Sequence, residues 1–232
     1  MIELRAREGL GQSRLPGLEA LHHFSFGQYQ DIARTHWGAV TTLNHNILDP
    51  RADMPPHAID GVDILTIMRK GVIRHHVNMD AVDRTLAGEV QLLCPGAGIT
   101  HAETNPGAKP AEFVEVRLRM ETVPERVQRR VVRFPNRTQT GRLALLASGF
   151  PEDRLTLPLQ SHTRVFGARL PASGAIEVAL KRSRHAYVMA LAGTVEVNGQ
   201  TVGPLEGAAI TNETAIRVES RKFAEILLID SR

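Results

Sequence analysis

His101 and Glu103 lie two residues apart in the run Pro95-Gly96-Ala97-Gly98-Ile99-Thr100-His101-Ala102-Glu103-Thr104-Asn105. The run predicts a glycine turn followed by a strand, and side chains at i and i+2 of a strand share a face. An imidazole and a carboxylate on one face are two of the donors a divalent transition metal takes. A third candidate donor, His57, lies upstream in Met54-Pro55-Pro56-His57-Ala58-Ile59-Asp60-Gly61. Convergence of these three would make a metal pocket, and the chemistry of the chain would start there.

The rest of the chain has to supply the frame. Short β-type runs alternate with glycine and proline, among them Val62–Met68, Val72–Val77, Glu89–Leu93, Glu112–Leu118, Tyr187–Leu191 and Ala224–Ile229. Many short strands at close spacing predict an all-β sandwich or barrel. Helical periodicity is scarce, and one short helix is expected after Pro151. The two halves resemble each other. In each, a strand (Val62–Met68 or Tyr187–Leu191) runs to a glycine (Gly71 or Gly193) and a second strand follows. This predicts a duplicated barrel, residues 1–135 and 136–232, joined near the polar stretch Asn136–Gly141. The halves differ chemically: Ala179 stands where a counterpart of His57 would, and no histidine follows His185. A metal therefore belongs to the first half, with the second structural or closing the site.

Composition narrows the function further. Hydrophobic residues make up 42% and charged residues 23% of 232, enough for an ordinary core and against disorder. Aromatics at 4% and a net charge of +3 argue against a nucleic-acid partner. The single cysteine, Cys94, allows no internal disulfide and is expected as a small buried side chain at a strand end. The first residues form no apolar leader and no run is long enough for a membrane helix, so a cytoplasmic protein is expected. Gly96 and Gly98 lack the third glycine of a dinucleotide fingerprint, and there is no Walker sequence or nucleophile elbow. The arginines between 126 and 133, and Lys181-Arg182-Ser183-Arg184, are expected on solvated edges and loops.

Gly98 through Asn105 resembles the second conserved motif of the pirins, which are bicupins. His57 through Met68 resembles the first motif, and Leu21-His22-His23-Phe24-Ser25-Phe26 the N-terminal signature. The likeness covers nearly the whole chain in order, with a quercetinase-type second cupin. The resemblance implies two stacked cupin barrels, the first holding iron or another divalent metal (zinc, manganese, nickel, copper or cobalt) through three histidines and a glutamate. It also implies quercetin 2,3-dioxygenase activity in some members and transcriptional co-regulation in an animal member. One departure stands out: the family's His-Pro-His is here His57-Ala58-Ile59, so Ile59 replaces one ligand.

Three implied ligands remain, His57, His101 and Glu103, the donor count of the facial triad of non-haem iron oxygenases. Glu103 is also the expected proton acceptor, and Ile59 an apolar wall. His75 aligns with a histidine common in the family and is expected in a supporting or packing role, with a replacement ligand as the less favoured alternative. Asn105 is expected to brace the turn after Glu103 or to orient its carboxylate. Two functions stay open at this point. One is a metal-dependent dioxygenase for a flavonol-like or other enolic aromatic. The other is a non-catalytic protein, its metal site weakened or lost, that binds a protein partner or a small molecule.

Overall fold

The computed structural model describes residues 1–232 and all side chains except those of Ala81, Val82 and Arg137. It is all-β, with two cupin-type barrels, each a seven-stranded sheet facing a four-stranded one. In the first barrel the larger sheet runs Gln128–Arg133, Glu89–Cys94, Val62–Lys70, Ala111–Arg119, Val40–Leu48, Leu18–His22, Gly11–Leu15. The smaller runs Asp53–Ile59, Ile99–Thr104, Val72–Val77, Asp80–Leu86. The second barrel repeats the plan, but its large sheet takes Ile2–Arg5 as an edge strand, with Ile2 opposite Ile210. The start of the chain thus lies with the second barrel.

The two large sheets pack face to face. Leu43, Leu65, Ile67, Val114 and Val116 of one meet Leu146, Val165, Tyr187, Leu227 and Ile229 of the other in one buried cluster. Both faces of these sheets are covered, which is why Val62–Met68 and Ala224–Ile229 are near-continuous apolar runs. The residues alternating with the interface set point into the first barrel. Asn44, Thr66 and Gln91 lie in register around Glu115, and all four are buried. So the barrel interior carries a polar band flanked by two small apolar clusters, and the interface between barrels is the main hydrophobic core.

Gly71 and Gly193 turn the matching hairpins with φ of 74° and 72°. A Cβ at either would press on backbone, Pro110 O at 2.9 Å or Phe223 O at 2.4 Å, so glycine is required twice. Cys94 is buried at the end of its strand, and Gln128–Arg133 is an edge strand with mostly exposed or half-exposed arginines, both as expected. The helix expected after Pro151 does not form. Asp153 accepts from Ser148 Oγ and Arg164 Nε, each at 2.7 Å, and these side-chain bonds hold the segment in turns.

His23 is fully buried between the barrels, its Nδ1 2.7 Å from the Tyr187 hydroxyl. Burial first, then the charge of Arg5, drives its pKa down to about 3. A base with a lowered folded pKa contributes stability that is present above the unfolded value and lost as pH falls through it. At pH 5 the unfolded chain gains about 2 kcal/mol from protonating this one residue. His23→Gln should lose correspondingly less stability between pH 7 and pH 5 in urea titrations. An unchanged pH dependence would show that the histidine charges in place.

Candidate metal centre

Strand register brings four side chains to one inner face of the small sheet. His101 pairs with His57 on one neighbouring strand, and Glu103 pairs with His75 on the other. His101 and Glu103 share a face by their spacing, so their partners join them. The register slips between His101 and Glu103, where Met54 rather than Pro55 faces Glu103. The slip falls at Pro55-Pro56, which have no N–H to donate and are tolerated because Asp53–Ile59 is an edge strand.

Three of the four converge. His75, His101 and Glu103 each offer a ligand atom within 4.8 Å of the other two. His75 Nδ1 lies 3.4 Å from His101 Nε2 and 3.4 Å from Glu103 Oε1. Atoms bound to one ion at about 2.0–2.2 Å stand roughly 3–3.5 Å apart at tetrahedral or octahedral angles, so these separations suit a metal. All three residues are buried, and neither oxygen of Glu103 has a hydrogen-bond partner among the described residues. An uncompensated buried carboxylate costs several kcal/mol, and a divalent cation would remove that cost. The donor set therefore fits a transition metal.

The protonation states agree. Arg129 Nε donates to Gln91 Oε1 at 2.6 Å, and Thr85 Oγ1 donates to the same oxygen at 2.8 Å. The Thr85 oxygen then accepts from His75 Nε2, 3.1 Å away. This chain puts the His75 proton on Nε2 and leaves the Nδ1 lone pair facing Glu103, the tautomer a ligand needs. Burial lowers the pKa of His75 to about 3, helped by His101, and that of His101 to about 4, against the opposing effect of Glu115. Burial, reinforced by Glu115, raises Glu103 well above the usual carboxyl range. Without an ion the trio is two neutral imidazoles beside a carboxyl that resists ionisation.

The remaining sequence candidates are placed as follows. His57 is half-exposed at the rim, its ring centroid 5.6 Å from that of His101, but its Nε2 sits 2.9 Å from Arg117 Nη2 and outside the trio. Ile59 pairs with Ile99 and joins Ile64 and Leu93 in an apolar cluster below the site. Asn105 braces the following loop: its Nδ2 donates to Leu48 O, Asp49 O and Lys109 O, and its Oδ1 accepts from Gly107 N. Among the described residues it makes no bond to Glu103. Sequence reasoning missed Glu115 and Arg117, which are bonded at 2.6 Å. Two charged residues at i and i+2 in the apolar run Ala111–Leu118 were the available signal, since a central strand admits charge only for a purpose. Glu115 also lines a cavity of about 280 Å³ with His22, Phe26, Asn44, Asn46 and Met54. None of the trio lines this cavity; Met54, which does, is the register partner of Glu103.

The pirin family model matches residues 3–118, and the model of the quercetinase C-terminal cupin domain matches residues 145–231. A pirin-like protein of Caulobacter vibrioides is 34% identical over 231 residues, covering 100% of both chains. The chain belongs to the pirin family. A protein of Escherichia coli named quercetin 2,3-dioxygenase is 24% identical, covering 99% of this pirin and 98% of its own length. The fold matches that of the E. coli pirin YhhW solved with nickel(II), at a TM-score of 0.92 and 23% identity, covering 100% and 99% of the two chains. In the second barrel of this pirin no group of three or more His, Cys, Asp or Glu donors forms among the described residues.

Proposed function

We propose that this pirin is a metal-dependent dioxygenase acting on a flavonol of the quercetin type or another enolic aromatic. The observation that carries the reading is the buried trio with both Glu103 oxygens unpartnered. His75, His101 and Glu103 would hold the ion, with the first barrel carrying the chemistry and the second supporting it. When bound, the ion supplies Lewis-acid polarisation of a substrate hydroxyl and a place for dioxygen. The chain's own residues do the rest. His75 and His101 stay neutral at pH 7 and so donate lone pairs rather than repel a cation. Glu103 has two free oxygens, one for the ion and one within reach of the substrate hydroxyl proton. Phe26 and Met54 give the cavity apolar walls, and Asn44 and Asn46 give it polar groups to orient an aromatic polyol.

Metal-loaded protein incubated aerobically with quercetin should bleach the flavonol band, and Glu103→Gln should abolish the bleaching. A second reading, non-catalytic binding of a protein or small molecule, is favoured by two observations. Ile59 lies in an apolar cluster, and His57 is engaged by Arg117. Flavonol that binds without being consumed, with metal present, would support this second reading and defeat the first.

A further inference from the structure

We propose that Arg117 masks His57, so that the ion site of this chain works with three protein ligands while a fourth imidazole is held beside it in reserve. The inference rests on the assignment of His75, His101 and Glu103 as the ion's ligands and deepens it. A guanidinium only donates hydrogen bonds. With Arg117 Nη2 2.9 Å from His57 Nε2, that nitrogen must accept. Its proton is then on Nδ1, which faces Pro55 O at 3.2 Å. A neutral imidazole has one ring lone pair, and Arg117 uses it.

Arg117 is itself well held. Its Nε donates to Glu115 Oε1 at 2.6 Å, Glu115 is 1% exposed, and the guanidinium lies 5.3 Å from the centre of the Phe26 ring. A charged pair of this burial keeps its geometry, because breaking it would strand a buried carboxylate. His57 is nonetheless stationed for ligation, since it is the register partner of His101 and their rings meet edge to face. Two features thus leave the family's His-Pro-His position without a free donor. Ile59 offers no donor atom, and Arg117 holds the lone pair of His57.

Nickel(II) affinity, measured by competition with a chromogenic chelator, tests this on the full chain. His57→Ala should change the dissociation constant less than about twofold, while His75→Ala should weaken binding by about 100-fold or more. Arg117→Gln, whose amide can still donate to Glu115, should tighten binding about tenfold, as expected when a masked ligand is freed. In the His57→Ala/Arg117→Gln double variant the gain should vanish, because the two changes act through one imidazole. Equal losses in His57→Ala and His75→Ala would overturn the masking. A gain that persists in the double variant would do the same, leaving only relief of charge repulsion. No loss in His75→Ala would overturn the ligand assignment itself and this inference with it. The His57→Ala arm stands alone if Arg117→Gln fails to fold, since His57 is at the rim.

Discussion

His101→Ala is expected to strip the metal from the protein. The residue is fully buried in the small sheet, on the same strand as Glu103 and between the strand of His57 on one side and that of His75 on the other. No other imidazole can take its place within 4.8 Å of both remaining donors among the described residues. Loss of a group that merely orients a ligand costs about 10–100-fold in affinity, so loss of a ligand itself should exceed about 100-fold. Dialysis against a mild chelator followed by elemental analysis would show this as an empty variant beside a loaded parent. Thermal melts should agree, since an ion that binds only the folded state raises its stability by RT ln(1 + [L]/Kd). The parent should melt higher with metal and the variant should not. Metal content unchanged in His101→Ala would place the ion elsewhere in the molecule.

Ile59→His should have two opposed effects. The isoleucine is 3% exposed and packs on Ile64, Leu93 and Ile99. Exchanging it for an imidazole loses about 1.5–3 kcal/mol of apolar burial and adds the cost of a polar group with no partner there. Without metal the variant should therefore be less stable by about 3 kcal/mol, read as a lower urea midpoint. With metal the new imidazole restores the donor that the pirin His-Pro-His motif has at this position. Affinity should rise by about tenfold, so saturating ion should return about 1.4 kcal/mol of the lost stability relative to the metal-loaded parent. A variant destabilised to the same degree with and without metal would show that position 59 does not reach the ion.

The sequence alone carried the two-barrel all-β plan, the glycine turns at Gly71 and Gly193, and the placement of His101 and Glu103 on one face. These are local matters. Backbone geometry sets a two-residue period in a strand, and a glycine in a tight turn declares a positive φ wherever the strands later pair. His57 was a candidate from its residue type, and the family likeness added its match to a ligand position and the loss at Ile59. The short helix expected after Pro151 had no such local support, because Asp153 finds its partners in Ser148 and the distant Arg164.

Which donors meet is a question of register, and register joins strands far apart in the chain. His75 and His76 are adjacent, and either could have faced inward. Pairing of Glu103 with His75 chose between them, and the bond to Thr85 set the tautomer. Packing of the large sheet over the small one brought Arg117, sixty residues away in the chain, within hydrogen-bond distance of His57. Residue types and short spacings are written in the chain order, whereas the distances between donors exist only after the sheets have closed. Thus the donor types of this pirin were legible before folding, and the choice of which of them meet was made by the barrel.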